Sequence, residues 1–366
     1  MVDNNNLKEV CSIQMDKMLQ GILKLFYQLG IWQSDKLSNF CKVGIKLFYI
    51  SFVQAAVMAA VMYLKFMYIL FKKQEILEFL NDPIVVHSIE NREEYDQINK
   101  KIAKFMRFVR PYFLAICVTA VLLIVIKLPI FTTNRGLPFF ISFSWNDSEI
   151  IYWLTYLVIS VLMVLYGIVN FFSALIWYIM LNYSIEYQLL GNKLKNLGAA
   201  KNQTQKERIS VAETHKCVEN VIFLIKAHRN LTETVERFRS SFSALFLVHI
   251  TTSGIVICVA VYSLAYASTE NVLQKEMFVS SLLYGVVDIF LAMYMANEIT
   301  DASDGLSYCL FKSNWIEQTE SCKKYVLIMG EVLKQPQQLV ILIYPMNLET
   351  FVKVIEDIGN VSVIKT

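Results

Sequence analysis

Histidine and cysteine are the residue types here that could hold a metal or act as catalytic nucleophiles. The four histidines are His87, His215, His228 and His249, and the seven cysteines are Cys11, Cys41, Cys117, Cys217, Cys258, Cys309 and Cys322. None has metal-ligand spacing, and His-x-x-Glu-His, Gly-x-Ser-x-Gly and phosphate-loop patterns do not occur in the sequence. An odd number of cysteines in predicted helices or cytoplasmic segments favours free thiols. We therefore expect no enzyme, no cofactor and no metal site.

Asp288 is the one acidic residue inside an otherwise uncharged run, Met277–Asn297. A carboxylate is costly in hydrocarbon, so it is expected to face a cavity or a partner. We expect a gating or packing hydrogen bond, with ion coordination as the alternative. His249 lies in a neighbouring apolar run and is expected to be satisfied by helix packing.

The composition indicates that most of the chain lies in a bilayer. Apolar residues make up 55% and charged residues 18%, with mean hydropathy +0.45, against about 45–50% and about 25% in soluble domains. Most of the uncharged runs approach or exceed the roughly 20 residues of a spanning helix: Leu47–Leu64, Pro111–Ile126, Ile150–Ile185, Ser240–Thr269 and Met277–Asn297. Tyr325–Ile343 is predicted to be a protein-packed or membrane-proximal helix, and Leu348–Ile364 a crossing. Lipid is an expected partner, and nucleic acid is not.

Basic residues predict the orientation. The successive loops Lys72–Arg110, Lys127–Glu149, Asn182–Arg239, Glu270–Glu276 and Glu298–Lys324 contain eight, two, ten, one and three Lys or Arg residues. The first, third and fifth are therefore assigned to the cytoplasm, and the carboxyl terminus to the outside.

The amino-terminal segment, residues 1–38, conflicts with this scheme. Its lysines favour the cytoplasm, yet a single crossing before Phe71 would place it outside. The run Val43–Phe71 spans about 43 Å as helix, too short for two crossings. We infer that one helix is missing from this region.

The long inner loops carry apolar stripes at helical spacing, in Asn182–Leu197 and in Val211–Phe238. Helices projecting beyond the membrane are predicted over residues 182–239 and 298–343, packed together there and against other subunits. The alternative is an amphipathic loop lying on the membrane surface.

The stretch Ile343–Phe351 predicts a helix start. Pro345 fixes the backbone, Asn347 can cap the helix, and the Glu349 carboxylate suits the helix dipole in the first turn.

Three stretches resemble the insect odorant receptor family: Leu25–Trp32, His228–Phe238 and Pro345–Phe351. The last is similar to the family's Pro-Leu-Ser-Leu-Glu-Thr-Phe, with Pro345, Leu348, Glu349, Thr350 and Phe351 matching and Met346 and Asn347 departing. Further matches are Asn297, Glu298, Trp315 and Pro336, the last expected inside the helix before the final crossing.

This resemblance implies an all-α polytopic receptor with a seven-helix plan, its amino terminus inside and carboxyl terminus outside. It implies an odour-tuning subunit of a ligand-gated, non-selective cation channel, a heterotetramer with the shared co-receptor in the plasma membrane of olfactory neuron dendrites. Residues 39–297 would then be the transmembrane bundle with the ligand pocket, the cytoplasmic extensions an anchor, and 345–366 the pore helix.

Two regions depart from the family. The segment between Trp32 and Lys65 is about one helix short, so the first helix is the missing one. After Phe351, the residues Glu356, Asp357 and Gly359 are poor choices for a membrane helix. We hypothesise a gene-model or splice boundary near Glu356. A non-functional, truncated or mis-annotated receptor gene product is therefore an alternative to the channel function. Continuous transcript sequence through Thr366 would refute the boundary.

The candidate ligand pocket consists of aromatic and apolar residues at the outer ends of the predicted spans, suited to a small volatile organic ligand. Its members are Tyr152, Tyr156, Tyr262, Tyr266, Phe278, Leu282, Leu122 and Ile126. Aromatic residues also gather at bilayer interfaces without binding anything, which is the alternative. By the resemblance, Val361, Val363 and Ile364 fall at the pore's apolar constriction, a gate that closes by dewetting.

A G-protein-coupled receptor is the runner-up. It would need the opposite orientation, and its usual Asp-Arg-Tyr or Asn-Pro-x-x-Tyr motif does not occur. A secondary transporter is third, without paired broken helices in matching halves.

Overall fold

The computed structural model describes residues 60, 63–68, 70–81, 92–126, 148–198, 211–266, 272–341 and 344–363. All of them belong to one compact unit, Val57–Thr366. Residues 63–68 are helical. The named elements that follow are α1 Lys73–Asn81, α2 Arg92–Ile126, α3 Glu149–Lys195, α4 Val211–Tyr266, α5 Val272–Phe311, a 3₁₀ turn Trp315–Glu317, α6 Glu320–Val332, β1 Val340–Ile341, β2 Tyr344–Pro345 and α7 Leu348–Val363.

Four of the helices in the described part of the chain are long and apolar enough to cross a membrane: Glu94–Leu122, Glu149–Lys195, Cys217–Ala265 and Phe278–Phe311. They contain the predicted run Ile150–Ile185 and overlap the runs Pro111–Ile126, Ser240–Thr269 and Met277–Asn297. The all-α prediction is confirmed, apart from the short hairpin β1–β2. Residues 1–38, and the run Leu47–Leu64 except positions 60, 63 and 64, lie outside the described residues, so the missing first helix stays a prediction.

The helices α3 and α5 form the centre of the bundle, with α4 packed closely on α5. At Gly285 of α5, an added Cβ would lie 2.9 Å from Cγ1 of Ile257 in α4. Non-bonded heavy atoms essentially never come this close to a Cβ atom. The absence of a side chain at Gly285 therefore allows the two helices to meet. Trp177, Phe238 and Phe242 are almost completely buried around this centre.

The predicted apolar stripes lie on the parts of α3 and α4 that extend beyond the uncharged runs of these helices. They meet in a common core made of Tyr187, Leu190 and Leu194 of α3, Val221, Leu231 and Val235 of α4, Ile299, Leu306 and Leu310 of α5, and Cys322, Val326 and Met329 of α6. This packing is what the helical spacing requires, because stripes on neighbouring helices must bury one another.

The prediction of one helix over Tyr325–Ile343, with Pro336 inside it, is wrong. The helix α6 ends at Val332, and Pro336 follows in an irregular segment. Proline lacks an N–H and disfavours helix at the preceding residue, so the helix stops before it. The backbone N–H of Gln337 donates to Oγ of Ser303 at 2.9 Å, which ties the segment to α5.

The expectation that every cysteine is a free thiol is also wrong. Cys217 of α4 and Cys322 of α6 form a disulfide, with Cα atoms 6.4 Å apart and a sequence separation of 105 residues. The pairing arises because α4 and α6 pack together, which no cysteine spacing reveals. Cys117, Cys258 and Cys309 are free, as expected.

Candidate ligand pocket and pore helix

The start of α7 is built as its sequence predicts. Pro345 pairs with Val340 in the hairpin, and the Met346 N–H donates to the Leu339 carbonyl at 2.7 Å. The Asn347 side chain caps the helix, its Oδ1 accepting the Thr350 N–H at 2.8 Å. This cap satisfies one of the free N–H groups at a helix start.

One face of α7 packs on α5. The Phe351 ring meets the Phe290 ring edge to face, with centroids 5.5 Å apart, and Val354 and Ile355 are half-buried beside it. The helix continues through Glu356 and Asp357 to Val363. Of the predicted pore residues, Val361 and Val363 lie in α7, and Ile364 lies outside the described residues.

Two predicted pocket residues form a small cluster between α2 and α3. Tyr152 and Tyr156 are buried, with ring centroids 6.1 Å apart, and the Tyr156 hydroxyl donates to the Ile124 carbonyl. Within the described residues this cluster is separate from the main core.

The other predicted pocket residues occupy different surroundings. Phe278 is buried and Leu282 packs against the main core. Leu122 and Tyr262 are 48% and 38% exposed and face outward from the chain. Tyr266 ends α4 and Ile126 ends α2. Among the described residues, the predicted pocket members therefore lie in several different surroundings and not in one shared cluster.

An aromatic cluster deeper in the bundle was missed from the sequence. The Tyr112 ring of α2 stacks on Tyr284 of α5, with centroids 6.0 Å apart, and lies at the same distance from Trp177 of α3. The Tyr284 hydroxyl donates to Oδ1 of Asn170, which is 3% exposed. Aromatic walls with one or two polar groups are typical of small-molecule sites. The sequence signal that could have identified this cluster was Asn170, an amide within the uncharged run Ile150–Ile185.

Asp288 has a specific partner. Its Oδ2 lies 2.8 Å from Nε2 of His249, and both side chains are almost completely buried. Lys65, 7% exposed, interacts electrostatically with the same carboxylate. The cluster joins the helical stretch 63–68, α4 and α5. This agrees with a packing role for Asp288. The approach of the two groups does not have hydrogen-bond geometry, because His249 Nε2 and both carboxylate oxygens of Asp288 are buried without a hydrogen-bond partner among the described residues.

The matches at Asn297 and Glu298 fasten the inner ends of helices. Glu298 accepts from Nζ of Lys101 at 2.9 Å, and its carbonyl accepts the Ser184 hydroxyl at 3.0 Å. Asn297 donates to Asp301 within α5 at 2.7 Å. The Trp315 ring lies 6.1 Å from Phe311. Glu298 thus joins α5 to α2 and α3, whereas the contacts of Asn297 and Trp315 are with residues four positions away.

Burial shifts the pKa of two groups in those extensions. It lowers the pKa of His228 below its ordinary value, because burial disfavours the charged imidazolium. Burial also raises the pKa of Tyr187 to about 12. The Tyr187 hydroxyl lies 3.4 Å from Oγ1 of Thr232.

The end of α5, the 3₁₀ turn and α6 expose several apolar side chains, which together we call the anchor face. Its exposed members are Tyr308, Phe311, Ile316, Leu327, Ile328 and Val332. Apolar side chains gathered on one surface indicate a protein or membrane contact.

Comparison with known proteins gives a consistent result. A family model described as 7tm Odorant receptor matches residues 49–357. The chain is 26% identical over 150 residues to Odorant receptor 10 of Aedes albopictus (41% of this chain, 40% of that one) and 22% identical over 238 residues to Odorant receptor Or2 of Anopheles gambiae (62% and 60%). It is 28% identical over 217 residues to Odorant receptor 94a of Drosophila melanogaster (57% and 51%).

The matches therefore span 40–60% of the length of these curated relatives. The insect olfactory receptor OR5 of Machilis hrabei has a similar fold, with TM-score 0.66 and 14% identity over 97% of this chain and 90% of that one. Its structure in complex with eugenol matches at 0.65, with 14% identity over 96% and 90%.

Proposed function

The chain belongs to the odorant receptor family, and we propose from that premise that it is the odour-binding subunit of a ligand-gated, non-selective cation channel. The channel is assembled with the family's shared co-receptor. The chain is a multi-pass membrane receptor and not an enzyme; its location is the plasma membrane of olfactory neuron dendrites.

The arrangement of α7 carries the proposal. A family-like segment, Pro345–Phe351, begins a helix that packs on α5 by one face and leaves the other face outside the chain's own bundle. A helix placed in this way can line a path shared with other subunits. The anchor face supplies the apolar surface through which such subunits associate.

The ligand is a small volatile organic molecule. The solved OR5 structure in complex with eugenol, a protein of the same fold, supports this class of ligand. The pocket lies among α2, α3 and α5, where Tyr112, Trp177, Tyr284 and Asn170 offer aromatic faces and a polar group. The predicted members Tyr152 and Phe278 are buried near the amino-terminal ends of α3 and α5.

Expression with and without the co-receptor tests the function. Odour-evoked inward current is expected only when both chains are present. Tyr284→Phe removes a hydroxyl and retains the ring, so it should shift ligand sensitivity at unchanged surface expression. Tyr95→Phe, on the exposed start of α2, is the matched control.

Two results would contradict the proposal. The first is no odour-evoked current with the co-receptor, across a broad odour panel and at normal surface expression. The second is a carboxyl-terminal tag that is labelled only after cells are permeabilised, because an internal terminus is the topology of a G-protein-coupled receptor.

A further inference from the structure

One face of α2 changes from basic to apolar along the helix. Four basic side chains are exposed on it and, at 100° per residue, fall within about 120° of arc. They are Lys100, Lys104, Arg107 and Arg110, which we call the basic row. Beyond Pro111, five large apolar side chains are exposed on the same face. They are Leu114, Val118, Val121, Leu122 and Val125.

The opposite face of α2 is fixed by packing. Phe105, Val109 and Phe113 are buried there on successive turns. Lys101 also turns inward, where its Nζ lies 2.9 Å from Oε2 of Glu298 in α5. A rotation that buried the basic row would expose the buried side chains and break the Lys101–Glu298 ion pair. The basic row therefore points away from the chain's own bundle.

The basic row has no counter-charge within the described part of the chain. None of its four side chains forms an ion pair or a side-chain hydrogen bond with another described residue, in contrast to Lys101. Asp96 is the nearest acidic residue of α2 on this face, and it lies eleven residues before Arg107, about 16 Å along the helix. The positive charge of the row is thus available to an external partner.

The change from basic to apolar marks the edge of the hydrocarbon layer. The span Glu94–Leu122 of α2 is long and apolar enough to cross a membrane. Pro111 begins its uncharged run, and Arg107 lies four residues earlier, about 6 Å along the helix. The headgroup layer is about 5–8 Å thick on each side of the hydrocarbon. Flexible Lys and Arg side chains at this level reach lipid phosphates.

Loop charges place this end of α2 on the cytoplasmic side, where the leaflet contains anionic lipids. Guanidinium and ammonium groups bind phosphate through charge-assisted hydrogen bonds, and Arg does so with two parallel donors. The amino-terminal segment, residues 1–38, does not complement the row, because it contains four acidic and four basic residues. Continuity with the outward apolar face favours lipid as the occupant.

We propose that the basic row is a docking surface for the phosphate groups of anionic phospholipids in the cytoplasmic leaflet. This inference rests on the membrane placement of α2 and not on the proposed channel function. A phosphatidylcholine headgroup carries its own balancing amine, so the row should prefer lipids with net negative headgroups.

Binding of a fluorescent short-chain phosphatidylinositol 4,5-bisphosphate to the purified, detergent-solubilised full chain tests this. Affinity is measured by fluorescence polarisation in about 150 mM salt, which screens distant charges. A basic residue near anionic lipid contributes about fivefold in association. The triple variant Lys104→Gln, Arg107→Gln and Arg110→Gln should therefore bind at least tenfold more weakly. The single variant Arg107→Gln should bind about fivefold more weakly.

A second triple variant controls for net charge. Lys195→Gln, Lys226→Gln and Lys324→Gln remove the same charge from exposed positions in the helix extensions and should leave the affinity within about twofold. The row variant keeps five of the eight basic residues of the loop Lys72–Arg110, so the charge bias that orients α2 is largely retained.

Competition separates lipid docking from other causes of binding. Unlabelled short-chain phosphatidylinositol 4,5-bisphosphate should displace the probe, and phosphatidylcholine of the same chain length should not. Equal displacement by soluble inositol 1,4,5-trisphosphate would overturn the proposal, because it indicates a site for free anions. Parent-like binding by the row variants, or an equal loss in the control variant, would also overturn it.

Discussion

Asp288→Asn isolates the charge of the buried cluster formed by Asp288, His249 and Lys65. The substitution keeps the shape of the side chain, so it creates no cavity. It leaves the Lys65 ammonium, 7% exposed, without this carboxylate as counter-charge. Lys65 and Asp288 interact from beyond ion-pair distance, so the roughly 3–5 kcal/mol that removing one partner from a buried ion pair costs is an upper limit here. Because folded proteins are stable by about 5–15 kcal/mol, we expect a measurable part of the total stability to be lost.

Thermal unfolding of purified, detergent-solubilised protein and surface labelling of intact cells measure this loss. Asp288→Asn should lower both the melting temperature and the surface level. Asp288→Leu combined with Lys65→Met removes both charges and should recover most of the loss, because an apolar replacement of a buried pair is often tolerated. The reasoning is refuted if Asp288→Asn matches the unsubstituted chain in both assays, or if the double variant is worse than the single one.

Three further predictions concern the helix extensions. Gly198 has φ +77°, so Gly198→Ala should cost about 1–2 kcal/mol in thermal unfolding, whereas Gly305→Ala, with no heavy atom within 4 Å of the added Cβ, should not destabilise. Burial lowers the pKa of His228 in the folded chain, so as the pH falls the unfolded chain takes up the proton first. Stability should therefore fall as the pH drops below about 6.5. In melting curves measured across this pH range, His228→Asn should show a flatter dependence on pH. Equal slopes would contradict it. Cys217→Ser removes the bond to Cys322 and should cost about 2–5 kcal/mol, with differential alkylation and mass spectrometry confirming the pairing in the parent chain.

Local patterns predicted the parts of the fold that depend on neighbouring residues. Asn347 was expected to cap the last helix, and it does so through the Thr350 N–H. The uncharged runs predicted the spanning helices, because a bilayer requires about 20 apolar residues in helical form. The end of α6 before Pro336 was also local information, but the apolar run Tyr325–Ile343 predicted one continuous helix and the backbone constraint of proline ended it earlier.

The candidate pocket was less predictable. Tyr152 and Phe278 were chosen because they lie near the outer ends of spans, a property that describes depth in the membrane and not the direction of a side chain. The stacking of Tyr112 on Tyr284 depends on how α2 and α5 rotate about their axes. A small rotation changes which residues meet, and hydrophobicity alone does not determine it.

The sequence by itself determined the membrane environment, the receptor family and the beginning of the last helix, since each depends on composition or on contiguous residues. Only the tertiary structure decided that Asp288 meets His249 and that Cys217 meets Cys322. These depend on residues far apart in the chain. Their contacts arise from the packing of whole helix faces, which no short stretch of sequence specifies.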